Sequence, residues 1–332
     1  MNSRKIKIMG TGKYLPKRKV LSEEIDRKLG LPEGWTEQKS GVAYRHYVET
    51  ESTSEMGANA AREAIKDAGL ALEDIDCIVS ASGTYEQPIP CTAALIKIKL
   101  DMGNSNIPCF DINSTCLSFV TALDVVSFLV HERKYKNVLI VSSEIASPGL
   151  NWKQKESCIL FGDGAAAAII SRSEEHESSE LLTSLTETYV EGASYTEIRG
   201  GGTRIPSTEY NGDNLDDYLF NMNGRAVFKL SSKVIHNFMK RLFDQTSISK
   251  QDIHMVIPHQ ASGLAMRIMR QKLNYKEEKF MNIISTHGNV IAASIPMALH
   301  ECIKQKRVQR GERLLLMGTS AGLSLGAVVL VY

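Results

Sequence analysis

The sequence predicts an α/β protein in which one arrangement of strands and helices occurs twice. In residues 76–170, short apolar runs typical of buried strands alternate with longer stretches that have helical apolar spacing. The same order returns in residues 253–331. A polar segment, residues 171–180, has the composition of a linker. The expected halves are therefore residues 1–172 and residues 181–332.

Each element is placed by its apolar pattern. In the first half we expect strands at 76–80, 108–112, 137–142 and 165–170, and helices at 93–100 and 117–130. In the second half we expect strands at 253–258, 280–285, 313–318 and 327–331, and helices at 262–273 and 292–304. Strands and helices that alternate in this way favour a layered fold.

Composition excludes several classes of function. The chain has 332 residues, with 39 Lys and Arg against 38 Asp and Glu, so a net charge of +1 argues against nucleic-acid binding. No apolar run is long enough for a membrane helix or a secretory signal. The six cysteines show no CxxC spacing, which argues against a zinc or redox site. We therefore expect a cytoplasmic protein with no metal and no membrane partner.

Three reactive side chains are expected where strands end, which is where open α/β folds bind ligands. Cys116 follows a predicted strand and precedes a helix, and a helix N-terminus favours a thiolate with a lowered pKa. His259 and Asn289 also lie between strands and helices. Position alone leaves open a buried structural thiol, a structural histidine and an asparagine that only caps its helix.

The three segments together resemble the thiolase superfamily and, more narrowly, the β-ketoacyl-acyl-carrier-protein synthase III family. The resemblance runs along almost the whole chain, through the motifs Gly10–Pro16, Phe161–Ala165, Met222–Lys229, Pro258–Ala261 and His287–Asn289. It implies thiolase-like duplicated five-stranded halves in a layered α-β-α-β-α arrangement, usually as a homodimer. It also implies that no metal or redox cofactor is needed.

The resemblance implies a two-stage reaction. Cys116 attacks an acyl thioester and becomes acylated, with the backbone N–H groups of Cys116 and Ala321 as the oxyanion hole. His259 and Asn289 then bind the carbonyl of a malonyl thioester and stabilise the enolate that loss of CO2 leaves. That enolate attacks the acyl group on Cys116 and gives a β-ketoacyl product.

The remaining site residues are also carried over from the family. Coenzyme A binding is expected at Trp35, Lys39, Lys155, Arg225 and Lys229, and the acyl pocket at Ile89, Leu117, Phe119 and Phe161. Lysine stands at two places where the family has arginine, Lys39 and Lys155, which removes bidentate phosphate recognition. These departures, with Leu117 and Ser118 beside the thiol, point to a specialised starter acyl group rather than acetyl priming.

Coenzyme A or an acyl carrier protein is the expected carrier of the acyl group. Three other readings stay open: acyl transfer from Cys116 to an amine or hydroxyl, condensation of two acyl chains without decarboxylation, and a catalytically silent partner subunit. Glu86 is a candidate base for the non-decarboxylating reaction, because it lies three residues before Ile89 in the loop that reaches the partner subunit in this family.

Overall fold

The computed structural model describes residues 3–332, and these residues form two main β-sheets. Residues 1 and 2 belong to the predicted first half and to the terminus inspected for a secretory signal, and they lie outside the described residues. The first sheet draws its strands from residues 7–171 and the second from residues 180–331. No helix in the described part of the chain is long and apolar enough to span a membrane.

The strands and helices have the following bounds. The strands are β1 (Lys7–Tyr14), β2 (Arg18–Leu21), β3 (Tyr44–Tyr47), β4 (Cys77–Ser80), β5 (Cys109–Asp111), β6 (Asn137–Glu144), β7 (Gly164–Ser171), β8 (Glu180–Thr188), β9 (Thr196–Glu197), β10 (Asn221–Met222), β11 (Met255–Pro258), β12 (Arg313–Ser320) and β13 (Ser324–Val331). The helices are α1 (Ser22–Leu29), α2 (Trp35–Ser40), α3 (Thr53–Ala68), α4 (Thr92–Lys99), α5 (Ser118–His131), α6 (Lys155–Cys158), α7 (Gly224–Phe243), α8 (Gly263–Lys272), α9 (Ile284–His287) and α10 (Ser294–Lys304).

The two sheets share one topology. The first has the order β1-β7-β6-β4-β5, with two antiparallel pairs followed by two parallel pairs. The second has the order β8-β13-β12-β11, with two antiparallel pairs followed by one parallel pair. A single parallel bridge from Val256 to Phe280 stands where a fifth strand belongs. The predicted duplication is confirmed, although the second sheet has four strands instead of five.

The strand predicted at residues 280–285 is the one that fails to form. Met281 donates one backbone hydrogen bond to Val256 over 2.9 Å, and α9 begins three residues later at Ile284. A short apolar run is compatible with a strand or with a helical turn, so its periodicity could not decide between them. The helical turn matters for the site because it ends at His287, two residues before Asn289.

The elements stack in five layers, as predicted for the family. Helices α5 and α10 lie between the two sheets and contact both of them. Helices α3 and α4 cover the outer face of the first sheet, and α7 covers the outer face of the second. Separate apolar clusters fill the space between the sheets and the space under each outer helix layer. Burial on both faces explains why the central strands are continuous apolar runs.

Candidate active site

One cavity of about 710 Å³ contains the three reactive side chains predicted from the sequence, Cys116, His259 and Asn289. Its volume lies in the range of small-molecule sites. The wall is mainly apolar. It is contributed by the turn before α5, by the N-terminal half of α7, by α8 along its length, by the segment 196–202, and by side chains that include Ile145, Leu160, Phe161, Met222, Val227, Phe228, Ile235, Met266, Ile268 and Met269.

Cys116 stands in a tight turn between β5 and α5. Thr115, the residue before it, has a φ of 50°, which is a left-handed conformation that a β-branched residue rarely adopts. Hydrogen bonds hold this turn: the Thr115 N–H donates to Asn113 Oδ1 over 2.8 Å, and the Thr115 hydroxyl contacts that of Ser320. The hydroxyl of Ser320 also donates to the Ser114 carbonyl over 2.8 Å. The strained turn points the thiol into the cavity at the start of α5.

The pKa of Cys116 differs from the expectation at a helix N-terminus. Burial of the thiol and the nearby Glu144 carboxylate raise it to about 12, which outweighs the stabilisation of the thiolate by the Cys116 N–H and by Ser320. The sequence-based expectation of a lowered pKa is therefore wrong for this structure. A helix dipole stabilises a thiolate only modestly and only near the first turn, whereas burial removes the water that would solvate the whole thiolate charge.

This raised pKa predicts how Cys116 responds to pH. Because the thiolate is the nucleophile, alkylation of Cys116 by iodoacetamide is expected to rise about tenfold per pH unit between about pH 8 and about pH 10, with no plateau. Peptide mapping by mass spectrometry separates Cys116 from the other cysteines. Cys91, which is partly exposed, serves as the internal reference thiol. A rate that levels off below about pH 8 would contradict the raised pKa and would support a thiolate stabilised by the helix N-terminus.

Glu144, at the end of β6, was not identified from the sequence. Its carboxylate accepts hydrogen bonds from Gly83 N, Thr84 N and Thr84 Oγ1 over 2.6 to 2.9 Å, and from Ala292 N over 3.3 Å. Burial raises the pKa of Glu144 to about 7 despite these donors. The carboxylate thus joins the Gly83–Thr84 wall of the cavity to the segment that follows Asn289. A single buried glutamate at a strand end has no motif that could have revealed this role.

His259 directly follows β11 and is held by Ser294 at the start of α10. Its Nδ1 lies 2.7 Å from Ser294 Oγ, and that oxygen also accepts a bond from Gln260 N over 3.3 Å. The serine hydroxyl is then free to donate to Nδ1, which places the imidazole proton on Nε2. Burial lowers the pKa of His259 to about 4, so the ring is neutral near pH 7. His259 can therefore donate a hydrogen bond without carrying a charge.

Asn289 is fixed by the motif around Phe161. Its N–H donates to the Leu160 carbonyl over 2.8 Å, and its own carbonyl accepts from Gly162 N over 3.1 Å. A side chain at Gly162 would come within 2.3 Å of the His287 carbonyl oxygen, so only glycine allows this approach. The amide Oδ1 accepts from Ile291 N over 2.9 Å and Nδ2 donates to the Ala261 carbonyl over 3.4 Å, which leaves the second Nδ2 hydrogen for a ligand. Two distant motifs thus meet to orient one side chain.

The other predicted pocket residues divide into two groups. Ala321 and Phe161 line the cavity with Cys116, as the resemblance implies. Leu117 and Phe119 do not: they are buried in the core between the sheets, where Leu117 packs against Gly318 and Gly326. The family resemblance placed them in the acyl pocket beside Cys116, but the turn into α5 directs their side chains into the core. Ile89 is 84% exposed and lies outside the cavity of its own chain.

The five residues predicted for coenzyme A do not line the cavity. Lys39, Lys155, Arg225 and Lys229 are exposed on α2, α6 and α7, while Trp35 is partly buried against an apolar cluster. Among the described cavity-lining residues, the cationic side chain is Lys272, at the end of α8. The predicted basic mouth therefore consists of exposed charges on three helices, two of them on α7, and its role stays a prediction.

Glu86 Oε2 accepts a hydrogen bond from Ser54 N over 2.7 Å, so in this structure the carboxylate caps the start of α3. Its role as a base stays a prediction. Within residues 3–332, no three His, Cys, Asp or Glu side chains converge in a way that could hold a metal ion.

Comparisons with known proteins agree with this geometry. Residues 110–189 match the family model of 3-oxoacyl-[acyl-carrier-protein] synthase III, and residues 243–332 match the model of its C-terminal part. The first segment contains Cys116, and the second contains His259 and Asn289.

Similar proteins extend the match to the whole chain. β-Ketoacyl-[acyl-carrier-protein] synthase III of Aquifex aeolicus is 33% identical over 326 residues, which cover 98% of this chain and 99% of the relative. The enzyme of that name from Clostridium perfringens is 32% identical, with 98% of each chain covered. The crystal structure of the Aquifex aeolicus protein superimposes with a TM-score of 0.87 at 30% identity over 100% of both chains. The chain therefore belongs to the β-ketoacyl-[acyl-carrier-protein] synthase III family of condensing enzymes.

Proposed function

We propose that this protein condenses a specialised acyl starter, held on Cys116, with a malonyl thioester to give a β-ketoacyl thioester. The observation that carries the proposal is the meeting of Cys116, His259 and Asn289 in one mainly apolar cavity. A thiol nucleophile and two neutral hydrogen-bond donors suit a reaction that forms an acyl-enzyme and then an enolate.

In the first stage, the Cys116 sulfur attacks the carbonyl carbon of an acyl thioester. The C–S bond to the carrier breaks, a new C–S bond to Cys116 forms, and the thiol proton leaves with the departing carrier thiol. The N–H groups of Cys116 and Ala321 are the proposed donors to the transient oxyanion. Because the pKa of Cys116 is raised, the resting thiol is neutral, which limits unwanted alkylation before a substrate arrives.

In the second stage, His259 Nε2 and Asn289 Nδ2 donate to the thioester carbonyl of the malonyl group. The C–C bond to the carboxylate breaks, CO2 leaves, and the electron pair forms an enolate whose oxygen the two donors stabilise. The enolate carbon then attacks the acyl carbon, the C–S bond to Cys116 breaks, and the released thiolate takes a proton from water. Neutral donors suit this step, because they stabilise the enolate without transferring a proton that would quench it.

The proposed substrates are thioesters of coenzyme A, of an acyl carrier protein, or of both, and no further cofactor is proposed. The specialised starter is supported by the apolar wall of the cavity and by the exposed lysines that replace arginines at the predicted coenzyme A mouth. The test is a panel of acyl-coenzyme A starters offered with a malonyl thioester, with β-ketoacyl products identified by mass spectrometry. A product from a longer or branched acyl group in preference to acetyl supports the specialised starter, and a preference for acetyl contradicts it.

We also propose a homodimer. Strand β5 is the edge of the first sheet, and no strand of the described residues pairs with its outer side. Beside it, Ile89, Ile98 and Tyr85 are 84%, 64% and 55% exposed. Exposed apolar side chains next to an unpaired edge are typical of an interface. A partner at this edge brings its own Ile89 loop toward the Gly83–Tyr85 wall of the cavity.

If the dimer forms at β5, a charge introduced beside this strand is expected to weaken the dimer more than a charge introduced elsewhere on the surface. Sedimentation equilibrium is expected to give twice the chain mass at micromolar concentration. Ile98→Asp is expected to raise the dissociation constant at least about tenfold, because a carboxylate is costly to bury. Leu264→Asp is the matched control, since Leu264 is 52% exposed on α8. A monomeric wild type, or equal effects of the two variants, would count against an interface at β5.

A further inference from the structure

Lys13 links the two halves of the fold beside the turn that carries Asn289. Its Nζ lies 3.1 Å from His287 Nε2 and 2.5 Å from Glu301 Oε1. Lys13 belongs to β1 of the first sheet, whereas His287 ends α9 and Glu301 lies on α10 in the second half. The side chains of Lys13 and Glu301 are only 19% and 22% exposed, and His287 is 7% exposed. The three side chains form a shielded clamp, which we call the Lys13 clamp.

The hydrogen-bonding roles in the Lys13 clamp are determined by chemistry. An ammonium group can only donate, so His287 Nε2 must accept, and the ring proton resides on Nδ1. Nδ1 lies 3.2 Å from the Ile283 carbonyl oxygen and 2.8 Å from Thr286 Oγ1, both of which can accept that proton. The His287 ring is therefore held on both of its nitrogens, by Lys13 from one half and by its own helical turn from the other.

The clamped ring is two residues away from Asn289. Gly288, between them, has a φ of 70°, and a side chain there would come within 2.8 Å of the Leu160 carbonyl oxygen. Asn289 itself bonds through its backbone to Leu160 and Gly162. The turn at Asn289 is thus held on one side by the backbone of Leu160 and Gly162 and on the other by the His287 ring. The turn at Cys116 is held separately, by Asn113 and Ser320.

We propose that Lys13 and Glu301 are positioning residues that set Asn289 Nδ2 for the enolate-forming step, by holding His287 across the boundary between the halves. The inference rests on the proposed function, in which Asn289 acts in decarboxylation and not in the acylation of Cys116. According to this proposal, contacts between the two halves of the fold directly affect the decarboxylation stage. Small displacements of a positioned group lower catalytic rates strongly.

The experiment measures the two stages separately in Lys13→Met and Glu301→Gln. Acylation is followed by the mass of the acyl-enzyme, and decarboxylation by release of labelled CO2 from a malonyl thioester. The kcat of decarboxylation is expected to fall about tenfold, while acylation stays within about twofold of the wild type. Lys13→Arg, which keeps the charge and the donors, is expected to restore most of the rate. Glu301→Gln keeps the side-chain shape, so it tests the inference even if Lys13→Met does not fold.

Lys304→Met is the matched control. Lys304 also lies on α10 and also joins the halves, through an ion pair of 2.5 Å with Asp67 on α3, but it is bonded to Asp67 and not to His287. It is expected to keep both rates. Equal losses in both stages, unchanged decarboxylation, or the same losses in Lys304→Met would overturn the positioning role. A wild type that performs neither stage would instead overturn the proposed function, so the two failures are distinguishable.

Discussion

Cys116→Ala is expected to abolish the acyl-enzyme and to lower the overall condensation rate by about a thousandfold or more, because no other nucleophile is proposed for the cavity. Decarboxylation of the malonyl thioester is expected to persist, since His259 and Asn289 keep their hydrogen bonds to Ser294, Leu160 and Ile291. Intact-protein mass spectrometry measures the first effect, and release of labelled CO2 measures the second.

Cys91→Ser controls for a general effect of losing a thiol. Cys91 is partly exposed, stands at the start of α4 and does not line the cavity. It is expected to acylate and condense at the wild-type rate. An acyl adduct that survives in Cys116→Ala and disappears in Cys91→Ser would show that Cys91, and not Cys116, is the nucleophile.

Asn289→Asp is expected to show the opposite pattern to Cys116→Ala. The substitution keeps the shape of the side chain and the acceptor for Ile291 N, but it replaces the Nδ2 donor with an oxygen. That oxygen faces a thioester carbonyl and then an enolate, both of which it repels. Decarboxylation is expected to fall by about 10²- to 10³-fold, in line with the loss of one oxyanion donor, while Cys116 is still acylated.

The control for Asn289→Asp is Asn113→Asp, in the turn that holds Cys116. Its Oδ1 accepts from Thr115 N, so either side chain satisfies that bond. Asn113 is exposed, which leaves the new charge in solvent. We expect both stages to stay within about threefold of the wild type. Full decarboxylation by Asn289→Asp would remove Asn289 from the second stage.

The sequence located the reactive residues from the turns that precede helices, although Cys116 and His259 follow strands whereas Asn289 follows the helical turn α9. Cys116, His259 and Asn289 each follow a short apolar run and precede a helix, and the duplicated topology brings the three turns to one cavity. The periodicity also predicted the helices α4, α5, α8 and α10 and seven of the eight strands that were proposed, but it did not place the long helices α3 and α7 or the strands β1 and β8. It failed at residues 280–285, where an apolar run forms one bridge and then a helical turn.

The residues that hold the site were harder to predict. Ser294, Ser320 and Glu144 contact groups that are between 35 and 206 positions away in the chain. A serine at a helix start or a lone buried glutamate has no distinctive spacing, so only the folded arrangement reveals these contacts. Leu117 and Phe119 were misplaced for a related reason, since adjacency to Cys116 does not determine which way a side chain points as α5 begins.

The predictions about charge and pKa that were made from residue position were the least accurate. The helix N-terminus at Cys116 is present as predicted, yet burial and Glu144 raise the thiol pKa to about 12. Likewise, Lys39, Lys155, Arg225 and Lys229 are exposed and do not line the cavity, so their role in coenzyme A binding stays a prediction. A pKa or a charged mouth depends on solvent exposure and on neighbours from other elements, and local sequence carries little of that information.

The most direct test of the central claim is a single-turnover chase. Wild-type protein is incubated with a panel of acyl thioesters, its mass is measured, and a malonyl thioester with a labelled carboxyl group is then added. We predict an acyl adduct on Cys116 that disappears with the release of one equivalent of CO2 and the appearance of one equivalent of β-ketoacyl product. No adduct with any acyl group, or an adduct discharged without CO2, would contradict the account; the first result fits a silent subunit and the second fits acyl transfer or non-decarboxylating condensation.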